Sequence, residues 1–313
     1  MGPAVRGAAG LLLALLFLPL GAGVAAAHGG GAAAPGTSIP RVLAVEPAVP
    51  GLALVVIEGG TRLRLDNHTG ETVAVLPPPD SPRGQEPLVP TGSSAAWADS
   101  RLAGAPAAPP RDGTSAWLVP LLVGDQQVVV HGDRTWPAPP LAVPWWSVTV
   151  AAALGTFSLG AAAAERGRHS TAATAVAGVT VLVVGAHVLH VIGSSLVLDR
   201  PASVGVVLAA AGIGVLCWAL GGLGVALTLA RHPMGPATCA SAGTLAALVT
   251  VFDVAGFHSA VLTFGWAFDL DRATTVVTVG GGVGLFLTGC AVLSATAPAP
   301  LVAAKPLSGN DVA

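Results

Sequence analysis

Charge is what this chain has least of. Asp, Glu, Lys and Arg together make up 10% of its 313 residues, and Lys305 is the single lysine. A soluble domain carries about a quarter charged residues, so this scarcity excludes an ordinary soluble protein. The formal charge of −2 and the lack of any Lys/Arg cluster exclude a nucleic-acid partner, which needs a basic surface to track phosphates. Cysteine is also scarce. Cys217, Cys239 and Cys290 all lie in the apolar C-terminal half. The N-terminal half therefore forms no internal disulfide, and no CxxC metal or redox motif exists. No Ser-His-Asp order, paired carboxylate site or nucleotide loop is visible. Gly280-Gly281-Gly282 lies in an apolar run without a following Lys-Ser/Thr.

What remains is apolar: 53% of residues are hydrophobic and the mean hydropathy is +0.74. The wealth of Ala, Gly, Val and Pro beside one lysine points to a GC-rich bacterial genome. Residues 1–27 read as a secretory signal peptide, with Arg6 ahead of an apolar core and Ala25-Ala26-Ala27 as cleavage site. The alternative, a first transmembrane helix, needs a longer apolar run of about 20 residues. Residues 28–39 form a flexible linker in which His28 is a linker histidine.

Residues 40–140 are the one soluble domain, and they read as β. Leu63 and Leu65 alternate with Arg62 and Arg64, Asp66 to Gly70 is a turn cluster, and a last hairpin forms around Gly124-Asp125. Six or seven short strands fit an all-β sandwich of immunoglobulin or cupredoxin type. Residues 91–110 read as irregular. His68 and His131 read as surface histidines at turns or strand ends. A type-1 copper site would need a Cys beside two His, and the domain has no Cys.

Trp145 and Trp146 then stand where an interfacial aromatic belt belongs. Five apolar segments follow within residues 144–297, at 146–164, 172–192, 203–230, 238–256 and 273–295, each long enough to span the membrane. Residues 298–313 make a cytoplasmic tail. With the β domain outside, Arg166, Arg168, Arg231 and Lys305 fall inside, against Arg200 and Arg272 outside, as the positive-inside rule requires.

Two polar interruptions stand out. Residues 185–193 read Gly-Ala-His187-Val-Leu-His190-Val-Ile-Gly, which puts two imidazoles on one helical face. Asp253, followed by His258, falls at the same outer depth in the fourth segment. Ionisable groups at membrane depth are costly and mark function. His187, His190, Asp253 and His258 are therefore candidate ligands for a transition metal. The competing readings are interhelical hydrogen bonding or interfacial packing, and a proton or solute pathway. Gly280 and Gly284 make a GxxxG spacing that permits close helix approach.

The sequence Arg41-Val-Leu-Ala-Val-Glu46-Pro, then Leu63-Arg-Leu-Asp-Asn67, Trp117-Leu-Val-Pro120 and Trp136 ahead of five helices resembles a group of actinobacterial membrane proteins of unassigned function. That resemblance implies a link to envelope copper handling. Members carry a Trp-His-Asp-His-Arg-x-His-Trp segment, whereas here the matching residues are Trp97-Ala98-Asp99-Ser100-Arg101-Leu102-Ala103-Gly104. Trp, Asp and Arg remain without the three histidines, and Asp99 and Arg101 are expected on one strand face. The expectation is a multi-pass protein of the bacterial plasma membrane, its N-terminal domain extracytoplasmic and its C-terminus cytoplasmic. Its function is binding or relay of a transition metal such as copper, without enzymatic activity. The alternative is a scaffold whose β domain docks an envelope partner.

Overall fold

The computed structural model describes residues 38–60, 62–78, 87–103, 110–165, 169–197 and 203–296. The signal segment, His28, Arg166, Arg168, Arg200, Lys305 and the expected tail lie outside these.

Among the described residues, eight strands form two antiparallel sheets that share one core. Strands β1 (Ile39–Glu46), β8 (Gln126–Thr135), β7 (Thr114–Val123), β4 (Val73–Val75) and β5 (Leu88–Val89) lie in that order in one sheet. Strands β2 (Leu52–Ile57), β3 (Arg62–Asn67) and β6 (Ser93–Ala98) make the other. The period-2 pattern decides which face is buried. Leu63 and Leu65 of β3 are fully buried opposite Val119, Leu121, Val128 and Val130 of the β7–β8 hairpin, while Arg62 and Arg64 point away. Buried Asn67 ties the following turn by donating to the Glu71 and Val89 carbonyls. His68 is exposed on that turn, and His131, on β8, lies 3.6 Å from Glu46.

Residues 93–98, expected to be irregular, form β6 because Trp97 packs on the shared core opposite Leu63. The Asp99–Arg101 pair is not on a strand. It sits at the corner between β6 and the one-turn helix α1 (Ser100–Ala103). Asp99 accepts from the Trp97 indole, the Arg101 backbone and the Arg101 guanidinium, the last at 2.7 Å. Trp97, Asp99 and Arg101 are thus one buried knot.

Six helices follow among the described residues: α2 (Ala142–Glu165), α3 (His169–Ser195), α4 (Val204–Ala211), α5 (Gly214–Leu229), α6 (Gly235–Thr250) with a 3₁₀ extension (Val251–Phe257), and α7 (Phe268–Thr296). Four helical stretches are long and apolar enough to cross a membrane, and α4 with α5 makes a fifth only if a 96° bend is allowed. This is a multi-pass membrane protein. The expected third segment, 203–230, is helical but bent rather than continuous. Gly212 adopts φ +52° and ψ −124°, a positive-φ conformation outside the helical regions that suits a residue without a Cβ.

Helix α7 is the centre of the bundle, and its three consecutive glycines each meet a different neighbour. A Cβ on Gly280 would lie 2.6 Å from the Thr149 carbonyl of α2, one on Gly281 2.6 Å from Val183 of α3, and one on Gly282 would overlap the Gly243 carbonyl of α6. Gly284 is closed in the same way by Ala153 and Thr156 of α2. The GxxxG spacing is therefore a real contact surface. Lipid offers no hydrophobic drive for helix association, so backbone proximity supplies the packing.

Candidate functional site

Three residues of helix turn about 300°, and the remaining 60° separates the two histidines of α3. His187, fully buried, faces α5. The Trp218 indole donates to its Nδ1 at 2.9 Å, and the ring occupies the space that a side chain at Gly214 would take. His258 is the exposed cap of the 3₁₀ segment, where the Trp146 indole donates to its Nε2 at 3.3 Å. Trp145 stacks on Phe257 at 6.1 Å and Trp146 meets it edge-on at 5.4 Å. The two tryptophans thus clamp the segment that carries Asp253. Of the four candidate ligands, only His190 and Asp253 come together. Among the described residues, no group of three or more His, Cys, Asp or Glu converges on one metal position.

His190 is the centre instead. Its Nδ1 lies 2.6 Å from Asp271 in the first turn of α7, and its Nε2 lies 3.5 Å from Asp253 of the 3₁₀ segment. A carboxylate accepts, so the short contact places the Nδ1 proton toward Asp271. The opposite ring nitrogen then meets Asp253 as a lone pair facing a carboxylate, and one proton between them converts that contact into an attractive one. Exposure grades across the centre: 5% for the His190 side chain, 10% for Asp271 and 25% for Asp253. Asp253 is the most exposed of the three.

Asp271 and its neighbour Arg272 escaped the sequence reading, which took residues 269–272 as a loop. Helix α7 starts at Phe268, so both sit in its first turn and are buried. Arg272 is not a loop charge. It donates to the carbonyls of Gly256 at 3.0 Å and Ser259 at 2.7 Å, and pairs with Asp269. Those carbonyls flank the end of the 3₁₀ segment at Phe257, so Arg272 fixes Asp253's support. The available signal was Asp271, Thr275 and Thr278 at i, i+4 and i+7, a polar stripe in an apolar helix.

Residues 259–267 form a roof. The Phe264 ring lies 6.1 Å from His190 at 23°, and Trp266 meets its edge at 5.7 Å. Gly193 lets the ring in, because any Cβ there would overlap it. The loop is pinned to α3 by the Gly265 N–H, which donates to the Gly193 carbonyl at 2.8 Å. Its other side meets the β domain. Thr263 packs on Gly59 in the β2–β3 turn, and a cavity of about 460 Å³ opens between Val56, Glu58 and Arg64 on one wall and Leu196, Val261 and Phe264 on the other. Phe264 therefore has one surface on His190 and another on the cleft beneath the β domain.

No protein-family model, curated protein or solved structure matches this chain.

Proposed function

We propose that this is a bacterial plasma-membrane protein, its β domain outside, that links the protonation state of His190 to the seating of that domain. The single observation that carries the reading is Phe264, stacked on His190 and lining the cleft against the β domain. The β domain, a sandwich of immunoglobulin or cupredoxin type, is the output surface and meets an envelope partner. On this reading the bent α4–α5 pair counts as a fifth span beside the four long apolar stretches, the C-terminus is cytoplasmic, and Trp145 and Trp146 lie at the outer membrane interface.

Proton exchange enters by Asp253, the most exposed member of the centre, and is held at His190 Nε2. Asp271 orients the ring from Nδ1 and balances its charge. Changing the charge of an imidazole alters how it meets an aromatic face, so Phe264 shifts with it, and the loop carries the shift to Gly59. Transition-metal binding, whether of copper or another ion, calls for ligands converging on one point, and His187 and His258 are both turned to indoles.

The test uses Trp266, which rests on Phe264, as reporter. Emission of the detergent-purified protein is followed from about pH 5 to pH 9, the range where an imidazole titrates, and the W266F trace is subtracted. A sigmoidal change abolished by H190Q supports the reading. A pH-independent signal, or one surviving in H190Q, refutes it. So does a stoichiometric transition metal in the wild-type protein that H190Q loses, because the cation of the centre is then the metal.

A further inference from the structure

We infer that Thr250, Thr275 and Thr278 hold bound water beneath His190, a buried polar site that continues the centre toward the middle of the bundle. All three are at most 1% exposed, and their hydroxyls have no hydrogen-bond partner among the described residues. The contrast with other helical threonines of the bundle is what makes them unusual. Thr149, Thr180, Thr228, Thr244 and Thr288 each donate back to the carbonyl four residues earlier. That local bond is the usual way for a helical threonine to satisfy its hydroxyl, and these three do not use it.

The three belong to one place. Thr275 and Thr278 continue the face of α7 that begins with Asp271, one and two turns further along. Helices α6 and α7 pack with Gly243 and Ala247 against Gly282. They run antiparallel, since the 3₁₀ end of α6 meets the start of α7 through Arg272 and Gly256. One turn from that contact toward the His190 end brings Thr250 on α6 level with Thr278 on α7. On the third side, α3 meets the same helix with Val183 against Gly281, so that moving toward its C-terminus reaches His187 and then His190. The stripe thus descends from the Asp271 carboxylate, bounded by three helices.

A buried hydroxyl left dry is costly, and folded proteins meet such groups with ordered water that makes about three hydrogen bonds. Three hydroxyls from two facing helices are a polar lining of that kind. Bound water there is a store and a path for the proton of His190 by way of Asp271. That role rests on the reading proposed above, whereas the water site itself does not.

The test is the sign of a near-isosteric substitution. T275V and T278V, singly and together, remove the hydroxyl at nearly constant volume, and T275S and T278S retain it. Unfolding midpoints in detergent are compared, and infrared difference spectra are recorded in H₂¹⁶O and H₂¹⁸O to detect O–H stretches of buried water. The site predicts lower midpoints and loss of an isotope-sensitive band in the valine variants, with the band kept in the serine variants. Raised midpoints in the valine variants, or a band they leave unchanged, overturn it, because dry hydroxyls are better replaced by methyl groups. H190Q separates the two readings: a retained band with a lost Trp266 response to pH supports the water site and confirms that the response belongs to His190. A band retained alongside a Trp266 signal that never responds to pH refutes the relay and leaves the water site standing.

Discussion

Replacing Gly193 with alanine sets two opposing effects against each other in one residue. A methyl at this position would lie 2.8 Å from Cδ2 of Phe264 and closer still to Cε2 and Cζ, where carbon atoms normally rest about 3.5–4.0 Å apart. The ring must withdraw by about 1.5 Å, but it is 5% exposed and held by His190 and Trp266. Overpacking of this kind costs about 1–3 kcal/mol. Against it stands the helix preference for alanine over glycine, roughly 1 kcal/mol. The clash outweighs the gain, so G193A lowers stability by up to about 2 kcal/mol, measured by denaturant titration in detergent micelles. In an F264A background the obstacle is gone and only the propensity gain remains, so the same substitution stabilises. That reversal of sign is a coupling that a double-mutant cycle reads directly. Equal effects of G193A in both backgrounds would refute the placement of Phe264 over the α3 end, and with it the link from His190 to the cleft.

Other expectations follow from the same packing. Burial alone would push the Asp99 carboxyl up, but hydrogen bonds from Arg101 and Trp97 override it and hold the group below the usual carboxylate range. Its contribution to stability is therefore complete above the unfolded value, about 3.9, and is lost as pH falls from there through the folded value. D99N, which leaves the Arg101 guanidinium without its carboxylate, should lower the midpoint of the full-length protein, with a cost of about 1.5–3 kcal/mol at neutral pH that shrinks under acid. A neutral-pH midpoint equal to wild type would contradict the knot. W218F removes the donor to His187 and costs about 1 kcal/mol, with the Trp266 response to pH retained. Loss of that response would show that His187 belongs to the centre. G282A drives a methyl into the Gly243 carbonyl and costs about 1–3 kcal/mol, whereas G155A, with nothing within 4 Å of its Cβ position, is neutral or stabilising.

Periodicity made much of the architecture readable, and long-range contacts account for what it did not. Leu63 and Leu65 declared the buried face of β3 because alternation is a local property. Strand β6 did not, because Ser93 to Ala98 lacks a strand pattern and pairs only through β3 and the Trp97 contact. The spans were legible from hydropathy, but the bend at Gly212 was not, since a glycine in an apolar run reads equally as helix. In the centre, His190 and Asp253 were both visible as isolated polar residues in apolar runs. Asp271 was hidden among Asp269 and Arg272, which looked like an ordinary polar loop until the start of α7 placed two of the three inside. The pairing of His187 with Trp218 and of His258 with Trp146 joins residues 31 and 112 positions apart, beyond the reach of any local pattern.

The central claim is that the charge state of His190 reaches the β domain through Phe264, and hydrogen exchange at the contact itself tests it most directly. Exchange of the 58–60 turn and the 259–267 loop is measured in wild type and H190Q at matched pH values on either side of the Trp266 transition. Comparison at each pH cancels the intrinsic pH dependence of exchange. The account predicts that the two proteins differ in protection of both segments on one side of the transition and agree on the other. Protection that is the same in both proteins at every pH would contradict it.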